Sequence, residues 1–208
     1  MALTDYVEQL CMPHLLKCLA VQAPGVRIDV SHLSPSLPVE ALDNGELDLV
    51  VGRFAEVPAR FARQHWRSET LLLTTRRGHP RLTEGLDLEA FLQLRHLWVH
   101  GGQTRGMVDQ WLANQGLARR IVYTTPNYLQ AAHMVAGSDL AVVLPSQLAR
   151  QFATLLPLHL WELPFNPGSF DLELVYLGHR QDNPAFSWLL EQILVVGGRP
   201  TRAPSDAA

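Results

Sequence analysis

The stretch TDYVEQLCMPHLLKCLAVQAPGVRIDV, residues 4–30, decides the predicted fold. Its apolar residues recur at helical spacing, which predicts one long amphipathic helix with Asp5 as its N-cap. This apolar set comprises Val7, Leu10, Cys11, Leu15, Cys18 and Leu19. Pro24-Gly25 ends the helix, and residues 26–30 then alternate apolar and charged side chains, as a strand does. The chain therefore starts with a helix that leads directly into a buried strand.

The rest of the chain repeats this alternation of helix and strand. Strands are predicted at 47–51, 70–77, 96–100, 119–125, 140–144, 158–164 and 172–178, and helices at 39–42, 86–94, 105–115, 128–136, 146–156 and 184–196. Topology rules for such a chain favour a mostly parallel sheet with helices on both faces.

Composition limits the possible functions of the chain. Its 208 residues are 47% hydrophobic and 18% charged, which is typical of a globular protein. The net charge of −3 gives no basic surface for a phosphate backbone, so this chain by itself is not expected to bind DNA. It has no apolar run of membrane-spanning length and no signal peptide, which predicts a cytoplasmic protein.

Two cysteines lie on the first predicted helix, at Cys11 and Cys18. Seven residues of helix separate them by about 10 Å, which is too far for a disulfide. We interpret both as reduced thiols of the core, with a reactive or metal-binding role as the alternative.

No catalytic constellation is evident in the sequence. It lacks the G-x-S-x-G, H-E-x-x-H, Walker and G-x-G-x-x-G patterns. His96 and His100 are four residues apart but in a predicted strand, where they lie about 13 Å from each other, and His79 is expected in a turn. The sequence therefore predicts a protein that is not an enzyme and has no metal or cofactor.

Three segments resemble the effector-binding domain of LysR-type transcriptional regulators. The first is Met12-Pro13, Leu15-Leu16, Pro24-Gly25-Val26, Ile28 and Val30; the second is Leu42, Gly45 and 47–51; the third is 135–137 with 140–145. Thr4-Asp5-Tyr6 and Ser138-Asp139 are similar to the branch related to nodulation and aromatic-degradation regulators. Ser138-Asp139 replaces the Leu-Gly pair that most of the family has there.

The resemblance implies an α/β fold of two Rossmann-like lobes joined by a two-strand hinge, as in type 2 periplasmic binding proteins. Lobe I would comprise residues 1–79 and 162–196, and lobe II residues 80–161. The last residues, 197–208, are expected to form a disordered tail. A cleft between two such lobes can close on a small ligand.

The resemblance also implies the residues that contact the effector, which are Thr4, Arg53, Gly102, Thr104, Asn127 and His179, with Phe54 and Tyr128 as stacking walls. The N-termini of the helices after Thr4, Thr104 and Asn127 would favour binding of a carboxylate. We therefore expect a small carboxylated effector, which could also carry an aromatic ring. The alternative for each polar residue is a helix cap or a surface group.

The family places a winged helix-turn-helix before this domain, and DNA binding by the full-length protein is expected to reside there. A homodimer is expected to form through the first helix and a helix of lobe II, with a tetramer as an alternative for the full-length protein. The main rival function is a solute-binding protein of a transport system, which shares the fold.

Overall fold

The computed structural model of the protein describes residues 1–33, 36–83, 85–100 and 106–198. The helices are α1 Asp5–Gln22, α2 Val39–Asp43, α3 Leu88–Gln93, α4 Met107–Asn114, α5 Tyr128–Ala136, α6 Ser146–Leu155 and α7 Pro184–Val196. The strands are β1 Ala2–Leu3, β2 Ser31–His32, β3 Val50–Gly52, β4 Phe61–Glu69, β5 Leu71–Arg76, β6 Arg95–Val99, β7 Arg120–Thr125, β8 Ala141–Pro145, β9 Leu158–Glu162 and β10 Phe170–Leu177.

The chain divides into two compact units, and it passes between them twice. Unit 1 is Met1–Arg67 with Asp171–Ala208, and unit 2 is Ser68–Phe170. The predicted lobe boundaries, after residue 79 and before residue 162, differ from these. The reason is that β5 and β9 pair with each other and thus both belong to the sheet of unit 2. Of the predicted tail, residues 199–208 lie outside the described residues.

Among the described residues, each unit contains one five-stranded mixed sheet. The strand order is β2-β1-β3-β10-β4 in unit 1 and β7-β6-β8-β5-β9 in unit 2. The first three strands of each order run parallel, as predicted. In contrast, β10 runs antiparallel to β3, and β5 runs antiparallel to both β8 and β9.

Helix α1 confirms the predicted first helix, but its cap is one residue earlier. Thr4 is the N-cap, and its Oγ1 accepts a hydrogen bond of 3.3 Å from the backbone N–H of Val7. Asp5 instead lies in the first turn, where its negative charge is favourable next to the helix N-terminus. Pro13 lies inside the helix without ending it.

The predicted buried strand at residues 26–30 is wrong. This segment has no regular secondary structure, and Val26 is 50% exposed. The neighbouring strand β1 is only two residues long, so it pairs with Ser31 and His32 alone. The alternating pattern is present, but no strand among the described residues pairs with this segment.

A separate hydrophobic cluster stabilises each unit. In unit 1 it contains Ala2, Leu33, Leu42, Val50, Phe54, Phe61 and Val175. In unit 2 it contains Leu73, Leu82, Phe91, Leu94, Val108, Leu112 and Ala141. The unit 1 cluster includes Ala2 of β1 and Val50 of β3, so burial fixes the two strands that precede Thr4 and Arg53.

Candidate functional site

Two of the predicted effector contacts lie side by side in unit 1. Thr4 follows β1 and Arg53 follows β3, and these parallel strands are neighbours with Leu3 opposite Val51. Adjacent strands are about 4.8 Å apart, so the two residues occupy one edge of the sheet. Thr4 is partly exposed and Arg53 is exposed. This edge is where open α/β sheets bind ligands.

The structure corrects the role predicted for Phe54. Its side chain is 7% exposed and belongs to the hydrophobic cluster of unit 1. The ring packs over Gly52, where an added Cβ would lie 3.0 Å from Phe54 Cζ. Burial of an aromatic ring is worth several kcal/mol, roughly 25 cal/mol per Å² of apolar surface, and this explains why the ring turns inward. Phe54 is therefore a core residue that packs beneath the ends of the strands, and it is not an exposed wall on which a ligand could stack.

The structure also separates His179 from Thr4 and Arg53. His179 lies exposed in a 3₁₀ turn, Gly178–Asp182, that follows β10. Because β10 is antiparallel to β3 with Glu173 opposite Gly52, its carboxyl end lies at the amino end of β3. The end of β10 at Leu177 is thus about 13 Å along the sheet from Gly52, at about 3.3 Å per residue. His179 is at the opposite edge of the sheet from the other two residues.

In unit 2, Asn127 and Tyr128 lie at the start of α5, directly after β7. Strands β6 and β7 are parallel with Val99 opposite Thr125, and the backbone N–H of His100 donates to the Thr125 carbonyl at 3.1 Å. The Asn127 side chain does not cap α5, since its Nδ2 donates to Gln130 Oε1 at 3.3 Å. Asn127 and Tyr128 are both partly exposed at the carboxyl edge of this sheet.

Gly102 and Thr104, the remaining predicted contacts, lie outside the described residues. The described chain ends at His100 before them and resumes at Gly106 after them. Gly106 is the N-cap of α4 and approaches the indole of Trp98, because an added Cβ would lie 3.3 Å from Trp98 Nε1.

A buried ion pair that the sequence did not reveal fixes the first turn of α4. Arg119 Nε and Nη2 donate to the two carboxylate oxygens of Asp109 at 2.7 and 2.8 Å. The Arg119 side chain is only 3% exposed. Its Nη1 has no hydrogen-bond partner among the described residues. These residues are ten apart in the sequence, with no motif to connect them.

His96 lies close to this ion pair. It is fully buried, and its Nε2 donates to the Phe91 carbonyl at 2.8 Å when Nε2 carries the proton. Burial, followed by the positive charge of Arg119, lowers the pKa of His96 to about 4. We therefore assign His96 as a neutral core residue at physiological pH. It lies in β6, which ends at Val99, before His100.

Glu69 is a second buried carboxylate that the sequence did not predict. It is 3% exposed and lies two residues after Arg67, where the chain first passes from unit 1 to unit 2. Its Oε2 accepts hydrogen bonds from Ser146 Oγ at 3.3 Å and from the backbone N–H of Gln147 at 3.4 Å. A carboxylate at this position caps the N-terminus of α6.

A cavity of about 770 Å³ opens in unit 1, away from Thr4 and Arg53. It lies near the amino ends of β1 and β3, where Arg180 Nη1 and Asp48 Oδ1 form an ion pair of 2.9 Å on its wall. The wall also includes Phe186 and Trp188 of α7. Of the predicted effector contacts that the structure describes, none lines this cavity.

The described residues contain no group of three or more His, Cys, Asp or Glu side chains arranged to hold a metal ion. None of their helices is long and apolar enough to cross a membrane.

The relatives found by comparison with known proteins are transcriptional regulators. The chain is 28% identical over 195 residues to the HTH-type transcriptional regulator SyrM of Rhizobium meliloti, covering 93% of this chain and 60% of SyrM. It is 31% identical over 150 residues to the HTH-type transcriptional activator NahR of Pseudomonas putida, covering 72% of this chain and 50% of NahR. The chain thus spans about three-fifths or less of the length of these two curated relatives. Both are transcription regulators rather than enzymes.

Solved structures and a family model agree with these relatives. The regulatory domain of MexT, a transcriptional activator in Pseudomonas aeruginosa, is 26% identical with a TM-score of 0.82, over 94% of this chain and 97% of that chain. The probable transcriptional regulator PA0477 from Pseudomonas aeruginosa is 30% identical with a TM-score of 0.84, over 97% of this chain and 66% of that chain. These matches confirm the predicted two-lobe α/β fold. The family model described as LysR substrate binding domain matches residues 1–196, and the chain therefore belongs to that family.

Proposed function

We propose that this chain is the ligand-sensing domain of a cytoplasmic LysR-type transcriptional regulator and that it catalyses no reaction. The observation that carries the proposal is the family match over residues 1–196, together with the likeness to the MexT regulatory domain. The relatives named above are transcription regulators, which favours this role over the transport alternative.

The proposed ligand is a small carboxylic acid, with aromatic acids as the first candidates. Support comes from Arg53, an exposed cation beside Thr4 at the carboxyl edge of the unit 1 sheet. In unit 2, Asn127 and Tyr128 offer an amide and an aromatic ring at the equivalent edge. Phe54 and His179 are not included, because one is buried and the other lies at the opposite edge.

We expect hydroxybenzoates and related acids to bind, and their methyl esters to bind at least about tenfold more weakly. A charged hydrogen bond between an arginine and a carboxylate contributes about 1.5–3 kcal/mol, which the ester forfeits. Arg53→Gln should therefore weaken acid binding about 10- to 100-fold, as measured by isothermal titration calorimetry.

Arg150→Gln is the matched control, since Arg150 is an exposed arginine on α6. It should leave the affinity unchanged. Binding of a neutral ligand together with no binding of any acid would contradict the carboxylate assignment. Equal losses in both arginine variants would contradict the role of Arg53.

We further propose that the chain forms a homodimer through α1 and a helix of unit 2, and that the full-length protein is a dimer or tetramer that binds DNA through an N-terminal winged helix-turn-helix. Large apolar side chains on the relevant helices are exposed. Leu16 and Val21 on α1 are 57% and 82% exposed, and Met134 on α5 is also exposed. Apolar groups of this kind are typical of a surface that another chain covers.

Leu16→Asp should convert the dimer into a monomer, because it would bury an unpaired charge in the interface. Sedimentation velocity over a range of protein concentrations measures this change. Leu155→Asp on α6 is the control, since Leu155 is 70% exposed but lies on neither α1 nor α5, the two helices that carry Leu16 and Met134. The interface is misassigned if Leu155→Asp dissociates the dimer and Leu16→Asp does not.

A further inference from the structure

The cavity in unit 1 has the size and the lining of a small-molecule site. Its volume of about 770 Å³ is within the range of roughly 300–1,000 Å³ that is typical of ligand pockets. Most of the lining residues are apolar, and Leu47, Phe186 and Leu189 are among them. Phe186 is 8% exposed and packs edge to face against Tyr176, with ring centroids 5.3 Å apart. Its ring is thus held in place, and this part of the wall is rigid.

Two opposite charges lie side by side on the same wall. Arg180 Nη1 and Asp48 Oδ1 are 2.9 Å apart, and their side chains are 32% and 55% exposed, so a ligand can reach both. Gly45 lies against the guanidinium, since an added Cβ there would be 3.1 Å from Arg180 Nη2. The ion pair joins one nitrogen of a group with five N–H donors to one oxygen of a carboxylate. Both groups can therefore bond a further partner.

This adjacent pair favours a ligand that carries both signs of charge. A simple carboxylate at Arg180 would lie beside the carboxylate of Asp48, and a simple amine at Asp48 would lie beside the guanidinium. Each would therefore meet a like charge, which is unfavourable. In an α-amino acid, about 2.5 Å separates the ammonium nitrogen from the carboxylate carbon. This spacing is similar to the 2.9 Å between Arg180 and Asp48, so both ligand charges can be paired at once.

We propose that this cavity binds an amino acid with a large apolar side chain. Its carboxylate accepts hydrogen bonds from Arg180, its ammonium donates to Asp48, and its side chain packs against Leu47, Phe186 and Leu189. These five residues lie just before β3, in the turn after β10 and on α7, and none of them is on the surface of α1 that is proposed for the dimer. The cavity is also separate from the proposed effector edge, so this proposal is independent of the effector assignment.

Isothermal titration calorimetry of the complete chain with L-phenylalanine tests the proposal. We expect saturable binding with one site per chain. Phenethylamine has the same ring and ammonium but no carboxylate, and it should bind at least about tenfold more weakly because it forfeits the charged hydrogen bond with Arg180. No binding of L-phenylalanine, or equal binding of phenethylamine, would overturn the proposal.

Variants of the wall locate the bound ligand. Arg180→Gln and Asp48→Asn should each weaken binding of L-phenylalanine at least about tenfold. Arg76→Gln is the matched control, because Arg76 forms an ion pair with Asp139 in unit 2 whose side chains are 33% and 54% exposed, and it should leave the affinity unchanged. Ala185→Trp, at an exposed position of the lining, should fill the cavity and abolish binding, with the far-ultraviolet circular dichroism unchanged.

A last comparison separates this site from the proposed effector edge. Arg53→Gln should leave the affinity for L-phenylalanine unchanged, because Arg53 does not line the cavity. Full affinity in Ala185→Trp, or a loss of affinity in Arg53→Gln that exceeds the loss in Arg180→Gln, would mean that the amino acid binds elsewhere and would overturn the proposal.

Discussion

Asp109→Ala should lower the free energy of unfolding by about 3–5 kcal/mol, the range for breaking a buried ion pair by removal of one partner. Asp109 holds the guanidinium of Arg119 with two hydrogen bonds, and Arg119 is 3% exposed. Without the carboxylate, a buried positive charge remains with no compensation, and the first turn of α4 loses its attachment to the start of β7. Urea denaturation followed by tryptophan fluorescence measures the change.

Two controls separate this effect from general loss of packing. The double variant Asp109→Leu with Arg119→Met removes both charges and should recover most of the lost stability, because apolar residues of similar volume replace buried ion pairs well. Asp29→Ala removes one partner of an exposed pair, with side chains of Arg27 and Asp29 that are 85% and 74% exposed, and should have little effect. A loss in Asp109→Ala no larger than in Asp29→Ala would contradict the structural role of the pair.

The stability of the protein should also fall as the pH decreases from about 6.5 to about 4, and His96 should account for about 3 kcal/mol of the loss. The unfolded chain binds a proton on this imidazole near its ordinary pKa of about 6.5, whereas the folded chain does so only near pH 4. Between these values the unfolded state binds more protons, so acid favours it. The contribution of His96 is fully present above pH 6.5 and is lost progressively down to about pH 4.

The measurement is the free energy of unfolding at several pH values for the wild-type chain and for His96→Gln, which keeps a hydrogen-bond donor but cannot titrate. The variant should show a flatter dependence between pH 6.5 and 4. His32→Gln is the control, because His32 is exposed on β2 and its replacement should leave the slope unchanged. Identical slopes for the wild type and His96→Gln would contradict the assignment of His96 as the titrating group.

The sequence predicted those features that depend on neighbouring residues. The order of helices and strands follows from apolar spacing and from the residues that end each element, and most predicted bounds lie within a few residues of the observed ones. Helix α1 is one example, since its apolar face and its end near Pro24-Gly25 are local signals. The choice of Thr4 and Arg53 as site residues came from the family resemblance, and in the structure both follow neighbouring parallel strands.

Features that depend on distant parts of the chain were not predicted. The antiparallel direction of β10 places His179 at the far edge, and no local pattern encodes that direction. The inward turn of Phe54 depends on the space above Gly52. The Asp109–Arg119 pair and the cap of α6 by Glu69 join residues 10 and 77 apart, respectively. Sequence periodicity contains no information on such pairs.

The discontinuity of unit 1 has a consequence for biosynthesis. Strand β10 lies between β3 and β4, so the sheet of unit 1 is interrupted until the ribosome has made residues 170–177. Unit 2 is one continuous segment, Ser68–Phe170, and all its strands emerge before β10 is complete. During translation, unit 2 can thus fold first, while β3 and β4 lack the strand that joins them. Their apolar residues therefore remain open to aggregation until β10 has been made.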